Sequence, residues 1–135
     1  MYCFRIIIAA MLMFAVKPVF TNTVWECEQQ ELVLDAGMMR VTNTLEFVSG
    51  RDVIYRVHSY MPPHPASYVN ADGTIDTNPG WTSDWEKRGK YKYSRGRLTI
   101  TFEDYPAMEL KYQKDALVSE KEEYDGSRMI FLPRK

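Results

Sequence analysis

The sequence predicts an all-β fold in which about eight strands form a single up-and-down antiparallel meander. The first observation is the stretch Gly89–Tyr112, where apolar and polar residues alternate as they do in strands with one buried face. Turn-forming residues at Ser94–Gly96 and Glu103–Pro106 divide this stretch into three strands. The second observation is that no sustained helical periodicity occurs beyond the first 23 residues. Because an all-β chain must protect its sheet edges, we expect a small closed barrel, with a flattened β-sandwich as the alternative.

The composition is that of one globular domain. The chain has 135 residues, of which 13% are aromatic, and this aromatic content suits packed strands. Its 17 lysines and arginines nearly balance its 18 acids, so the charge gives no indication of nucleic-acid binding.

The first 23 residues have the organisation of a cleaved signal peptide. Arg5 precedes the apolar run Ile6–Val16, and Lys17 follows it. As a helix, eleven apolar residues would span roughly half of a hydrocarbon core of about 30 Å, which disfavours the alternative of a membrane anchor. We expect cleavage just before Asn22 or Val24, and an exported protein that is periplasmic or secreted, with no membrane span once the leader is removed.

The first half of the remaining domain, residues 24–135, contains three predicted strands. They are Val24–Leu34, Val41–Val48 and Val53–Met61, with turns at Asp35–Gly37 and Ser49–Asp52. Leader removal would leave Cys27 as the single cysteine, so no intramolecular disulfide is expected. Because Cys27 shares a strand face with Trp25, we interpret it as a small buried apolar side chain.

A long loop, Pro62–Asp84, separates the two halves. It is rich in proline, asparagine, aspartate and glycine, which interrupt regular structure, although the Asp-Gly pair at 72–73 favours a small ribbon. The meander then continues with the predicted strands Trp85–Tyr93, Arg97–Phe102, Met108–Tyr112, Ala116–Glu120 and Arg128–Leu132, and with a turn at Glu123–Gly126 before the last of them.

Three short patterns carry a resemblance to a known family. They are Thr-Val-Trp-Glu-Cys around Trp25, Gly-x-Tyr-x-Tyr at Gly89–Tyr93 followed by Leu-Thr-Ile-Thr-Phe, and the final Phe-Leu-Pro-Arg-Lys. From Val24 to Lys135 the chain resembles the small bacterial exported lipocalin-like, or calycin-type, barrels, a group of largely unknown function. True lipocalins begin with Gly-x-Trp, whereas this chain has Thr23-Val24-Trp25.

The resemblance implies a meander barrel whose interior could hold a small apolar molecule. It also implies that Trp25 is a structural plug at the closed end of the barrel, packed against a C-terminal arginine, for which Arg134 and Arg128 are the candidates.

Four tyrosines are the candidate ligand contacts inside the barrel: Tyr55, Tyr91, Tyr93 and Tyr112. They share the inward faces of the strands with large apolar residues, and their hydroxyl groups could orient a ligand in an apolar pocket. Eight strands enclose a space that side chains can fill or that can hold one small ligand, so a filled core is the alternative.

The loop contributes a second set of candidates, Tyr68, Trp81 and Trp85. Around a barrel mouth, these aromatic residues could cover a cavity or form a contact surface for a glycan or a protein of the cell envelope. The alternative is that the loop folds onto its own barrel and buries them.

No catalytic or metal-binding motif is evident, and we expect a non-catalytic protein without a cofactor or metal. Residues 68–79 resemble a calcium-binding loop, but Tyr68 and Pro79 occupy the first and last ligand positions. His58 and His64 have no cysteine or carboxylate at a spacing typical of zinc sites. The leading hypothesis is therefore a barrel that binds a small apolar or amphipathic ligand, and the alternative is a filled barrel that binds an envelope protein or glycan.

Overall fold

A computed structural model describes residues 18–123 and 126–134 and confirms the all-β prediction. The predicted leader therefore lies largely outside the described residues, as do Tyr124 and Asp125 of the predicted turn at Glu123–Gly126. The strands are β1 (Thr23–Val33), β2 (Gly37–Phe47), β3 (Asp52–Met61), β4 (His64–Pro65), β5 (Thr77–Asn78), β6 (Trp81–Ser94), β7 (Arg97–Phe102), β8 (Met108–Gln113), β9 (Ala116–Ser119) and β10 (Ile130–Pro133). Within the described part of the chain, no helix is long and apolar enough to cross a membrane.

Eight of these strands form a closed antiparallel barrel in the order β1-β2-β3-β6-β7-β8-β9-β10. Pairing of Trp25 with Pro133 and of Glu26 with Leu132 joins the first and last strands. The Arg134 N–H extends this seam by donating to the Val24 carbonyl oxygen at 2.8 Å. The chain therefore adopts the predicted up-and-down barrel rather than the flattened sandwich.

The two ends of the barrel differ because its strands differ in length. Strand β1 pairs with β10 only as far as Glu26 but continues to Val33, and β6 pairs with β7 only from Gly89 although it begins at Trp81. Strands β1, β2, β3 and β6 consequently project beyond the shorter strands. We call the end with this projecting sheet the open end, and the end where β1 begins the closed end.

The barrel centre is filled by side chains of the inward faces. Less than 2% of the surface of each of the following side chains is accessible to water: Leu45, Phe47, Val53, Leu98, Ile100, Leu110, Leu117 and Phe131. A water-sized void among them would show as accessible surface, so the middle of the barrel is packed solid.

The long loop is shorter than predicted. It was expected to extend to Asp84, but β6 begins at Trp81, because the second half of β3 supplies partners such as Met61 for Trp81 and Ser59 for Ser83. Strands β4 and β5 form a small ribbon, with His64 paired to Asn78, but the eleven residues 66–76 connect them rather than a tight Asp-Gly turn. Trp81 therefore lies on a strand and not in a loop, and Trp85 lies on a strand as predicted.

Candidate ligand site at the open end of the barrel

The closed end is occupied by an aromatic cluster centred on Phe20, a residue of the segment before β1. Its ring centroid lies 5.2–6.3 Å from those of five other aromatic residues, and its side chain is 4% exposed. These five residues are Trp25, Phe47, Tyr91, Tyr93 and Tyr112. Three of the four tyrosines predicted to contact a ligand thus surround a phenylalanine of the chain itself.

Two of the three tyrosine hydroxyl groups at this end also have partners within the protein. Tyr91 donates to the Ser49 carbonyl oxygen at 2.7 Å, and Tyr112 donates to Asp115 Oδ1 at 2.9 Å. The hydrogen bond to Asp115 raises the pKa of Tyr112, because it stabilises the protonated hydroxyl. These contacts within the chain favour the filled core at the closed end.

Trp25 belongs to this cluster, but neither candidate arginine is its partner. The indole packs against Phe20 and Tyr112, and its Nε1–H donates to Thr23 Oγ1 at 3.0 Å. Arg134 instead pairs with Glu26 on the outer face. Arg128 donates to the carbonyl oxygens of Ser119 and Glu120 and contacts Glu122 at 3.4 Å.

A second aromatic cluster, which we call the mouth cluster, lies at the open end and consists of Tyr55, Trp85, Phe102 and Tyr105. The Tyr55 and Trp85 centroids are 5.3 Å apart in an edge-to-face arrangement, and Tyr105 lies 5.6 Å from both Trp85 and Phe102. In contrast to Phe20, Trp85 is 38% exposed and Tyr105 is 39% exposed. Of the two clusters, only the mouth cluster contains aromatic side chains that are more than one-third exposed.

Trp81 extends the exposed aromatic surface along β6. It lies four residues before Trp85, so both side chains project from the same face of the strand. Its partner on β3 is the buried Met61, and the Trp81 side chain is 47% exposed. The inner face of the projecting sheet therefore exposes two indoles, with the paired Ser59 and Ser83 between them.

A buried chain of hydrogen bonds runs beneath the mouth cluster. The Tyr55 hydroxyl donates to Asn43 Oδ1 at 2.7 Å, and Asn43 Nδ2 donates to Gln29 Oε1 at 2.9 Å and to the Cys27 carbonyl oxygen at 3.3 Å. Asn43 is only 3% exposed, whereas Gln29 is half-buried. This series of hydrogen bonds thus fixes the Tyr55 ring and ends at the Gln29 amide, which is accessible at the open end.

The pKa values of Cys27 and Tyr55, two groups of this region, are both raised above their ordinary values. Burial raises the pKa of the Cys27 thiol, a hydrogen bond from the Ile130 backbone opposes this effect, and the negative charge of Glu123 adds to it. Burial also raises the pKa of Tyr55, with smaller contributions from Tyr105, Cys27 and Glu123. Cys27 is free and buried, and both groups are protonated at neutral pH.

Tyr68, the remaining loop candidate, lies apart from the mouth cluster. Its side chain is exposed, and its hydroxyl donates to Asp76 Oδ2 at 3.3 Å within the loop. Residues 65–67 of the same loop and residues 32–37 at the β1–β2 hairpin together line a cleft of about 450 Å³. The loop therefore extends across the end of β2 as far as β1.

The calcium-like residues of the loop bind each other. Asn70 Nδ2 donates to Thr74 Oγ1 at 3.0 Å and to Asp76 Oδ1 at 3.1 Å, while Asp72 accepts from the Thr74 backbone N–H at 2.9 Å. These are the contacts of an ordinary turn. No group of three metal-ligating side chains occurs among residues 18–123 and 126–134.

The two histidines are separate from the mouth cluster. His58 Nδ1 lies 2.6 Å from Asp84 Oδ1, but both residues are on the exposed outer face of β3 and β6. His64 Nδ1 lies 2.9 Å from the Pro62 carbonyl oxygen. The structure thus pairs His58 with a carboxylate on a convex surface and not in a concave site.

The sequence analysis missed Phe20, Asn43 and Tyr105. Asn43 had a usable signal, because it interrupts the apolar inward positions Val41, Leu45 and Phe47 of β2. An inward polar residue in such a pattern indicates a buried hydrogen-bond partner. Tyr105 was read only as part of a turn, and Phe20 as part of the leader.

The fold defines the protein as an eight-stranded up-and-down β-barrel with one filled end and one open end. Comparison of the chain with protein-family models, with curated proteins and with solved structures gave no match.

Proposed function

We propose that this protein is an exported, lipocalin-like barrel that binds a small apolar or amphipathic molecule at its open end and acts without catalysis. The observation that supports the proposal is the mouth cluster, where Trp85 and Tyr105 are each more than one-third exposed on the inner side of the sheet. Exposed aromatic surface with a few polar groups nearby is typical of small-molecule sites. The Gln29 amide, the half-buried last member of the hydrogen-bond chain that starts at Tyr55, is such a polar group.

The charges around the open end favour a neutral or cationic ligand over an anionic one. Glu123 is close enough to raise the pKa of both Cys27 and Tyr55 through its charge. Glu103 and Asp104 immediately precede Tyr105 and are exposed. A cation over the faces of Trp85 and Tyr105 would be attracted both by these carboxylates and by the aromatic rings.

Two fluorescent probes with a similar apolar body provide the test. N-phenyl-1-naphthylamine is neutral, whereas 8-anilino-1-naphthalenesulfonate carries a sulfonate. We expect saturable binding of the neutral probe and at least tenfold weaker binding of the sulfonate, because the sulfonate would face Glu103, Asp104 and Glu123. Equal affinity for both probes, or no saturable binding of either, would contradict the proposal.

Variants then locate the site. Trp85→Ser and Trp81→Ser should each weaken binding of the neutral probe by about fivefold to twentyfold, since each removes a large apolar contact. Tyr60→Ser is the matched control, because Tyr60 is 39% exposed on the outer face of β3. An equal effect of Tyr60→Ser would place the probe elsewhere.

A second candidate function is supported by the exposed apolar residues of the long loop. Tyr68, Val69 and Ile75 are each more than half exposed, which suits a contact surface for an envelope protein or a glycan. The double variant Tyr68→Ser and Ile75→Ser distinguishes the two candidates. If the loop is the functional surface, this double variant should leave binding of the fluorescent probes unchanged but abolish binding of the envelope protein or glycan.

A further inference from the structure

Each of the three hairpin turns at the closed end carries a cation. Arg51 lies in the β2–β3 turn, Arg95 in the β6–β7 turn and Lys114 in the β8–β9 turn, whose second residue is Asp115. The up-and-down topology places these turns at one end of the barrel. None of the three side chains forms an ion pair with another residue of the described ranges.

Two of these cations occupy backbone positions that favour other residue types. Arg95 has a φ of 53° and Lys114 a φ of 50°, and each occupies the first position of a two-residue hairpin loop. Asparagine, aspartate and glycine are favoured at such positions because they tolerate a left-handed backbone. The turns thus hold cations at a conformational cost, which is grounds for seeking a function.

A basic cleft adjoins the β6–β7 turn on the outer face. It has a volume of about 470 Å³ and is lined by four cations and the hydroxyl groups of Ser94 and Thr99. The cations are Lys92, Arg95, Arg97 and Lys111. The one carboxylate of the lining, Glu120, is paired with Arg97 at 2.9 Å. Cations and hydroxyl groups in this arrangement suit a phosphate group.

The opposite end of the barrel is acidic. The connections described at this end carry eight acids, which are Asp35, Asp72, Asp76, Glu103, Asp104, Glu120, Glu122 and Glu123, against two cations, Lys121 and Arg128. Since the whole chain is nearly neutral, with 17 cations against 18 acids, its charge is segregated along the barrel axis. The chain also enters the barrel at the closed end through Pro18 and Phe20.

From these observations we infer that the closed end is a docking surface for an anionic membrane, in which lipid phosphate groups contact the three turns and the adjoining cleft. Such a surface would hold the barrel with its acidic open end turned away from the lipid. Attraction of juxtamembrane cations to anionic lipid corresponds to about a fivefold gain in partitioning for each lysine or arginine.

Vesicle co-sedimentation of the full chain, in the form that an exporting host produces, tests the inference. We expect binding to vesicles with equal parts of phosphatidylcholine and phosphatidylglycerol, and much weaker binding to phosphatidylcholine alone. The variant Arg51→Ser, Arg95→Asn and Lys114→Asn should bind the anionic vesicles about 100-fold more weakly. Its two asparagines suit the left-handed positions, so the variant should fold at least as well as the parent.

The matched control removes three exposed cations that lie away from the closed end, by the substitutions Arg40→Ser, Arg88→Ser and Lys121→Ser. It changes the net charge by the same amount and should retain most of the binding. Equal loss in the control, or binding that is independent of lipid charge, would overturn the inference. Inorganic phosphate should compete no better than sodium chloride at equal ionic strength; strong competition by phosphate would instead assign the cleft to a free anion.

Discussion

Phe20 packs against Trp25 with their ring centroids 5.9 Å apart, so a residue from before the first strand completes the closed end of the barrel. We expect Phe20→Ala to lower the free energy of unfolding by about 3–5 kcal/mol, because the surrounding rings cannot collapse into the space of a lost phenyl group. Urea denaturation measures the change. Val19→Ala is the control, since Val19 is exposed, and it should alter stability by less than about 0.5 kcal/mol.

The same contact changes the expected processing site. We expected cleavage just before Asn22 or Val24, but either cut would remove Phe20 from the core. We now predict that any processed form retains Phe20, so that its N-terminus lies at or before this residue. Intact-mass measurement of the exported protein decides between the two positions, and an N-terminus at Asn22 or Val24 would show that the barrel is stable without Phe20.

Period-two alternation predicted most of the barrel because it records which side chain faces inward. Strand β7 was predicted with its observed bounds, Arg97–Phe102, and Tyr55 of β3 was correctly predicted to face inward. The short turns then required each strand to pair with its neighbour, and closure followed from the need to protect the edges.

The division of the inward tyrosines between the two ends could not be predicted in this way. Tyr55 and Tyr91 follow the same alternating pattern, yet Tyr55 belongs to the mouth cluster and Tyr91 to the closed-end cluster. Their positions depend on how far β1 and β6 extend beyond β10 and β7, which is a property of the pairing register. The role of Phe20 could not be predicted for another reason. Phe20 reaches the core because Asn22, with a φ of 63°, turns the chain just before β1.

Replacing only one partner of the hydrogen bond from Tyr55 to Asn43 should lower the free energy of unfolding more than replacing both partners. Tyr55→Phe leaves the buried Asn43 Oδ1 without its 2.7 Å partner, so we expect a loss of about 1–3 kcal/mol. A double-mutant cycle with Asn43→Val measures the coupling between the two side chains. A coupling energy near zero would show that the bond contributes nothing to stability.

Alkaline pH should destabilise the barrel through Cys27 and Tyr55. Burial raises the pKa of both groups above the values of the unfolded chain, so their contribution is present in full below about pH 8. It is lost as the pH rises, first from Cys27 near pH 9 and then from Tyr55 above pH 10, by at most about 1.4 kcal/mol per pH unit for each group.

Urea denaturation at a series of pH values tests this dependence. Cys27→Ala should flatten the profile between about pH 8 and 10, and Tyr55→Phe should flatten it above about pH 10. Tyr68→Phe, which alters an exposed hydroxyl of the loop, should leave the profile unchanged. If the unchanged protein and the three variants all lose unfolding free energy with the same slope against pH, groups other than Cys27 and Tyr55 cause the loss at alkaline pH.

Gly89 marks the point on β6 where pairing with β7 stops, and it has no room for a side chain. A Cβ at this position would lie 2.8 Å from the Thr101 carbonyl oxygen and 2.9 Å from the ring of Phe102, a member of the mouth cluster. Gly89→Ala should therefore destabilise the barrel by about 1–3 kcal/mol and, by displacing Phe102, weaken probe binding at the open end. Gly50→Ala is the matched control, because a Cβ there meets no atom within 4 Å, and it should change neither property. Loss of stability with unchanged probe binding would show that the position of Phe102 does not determine the shape of the ligand site.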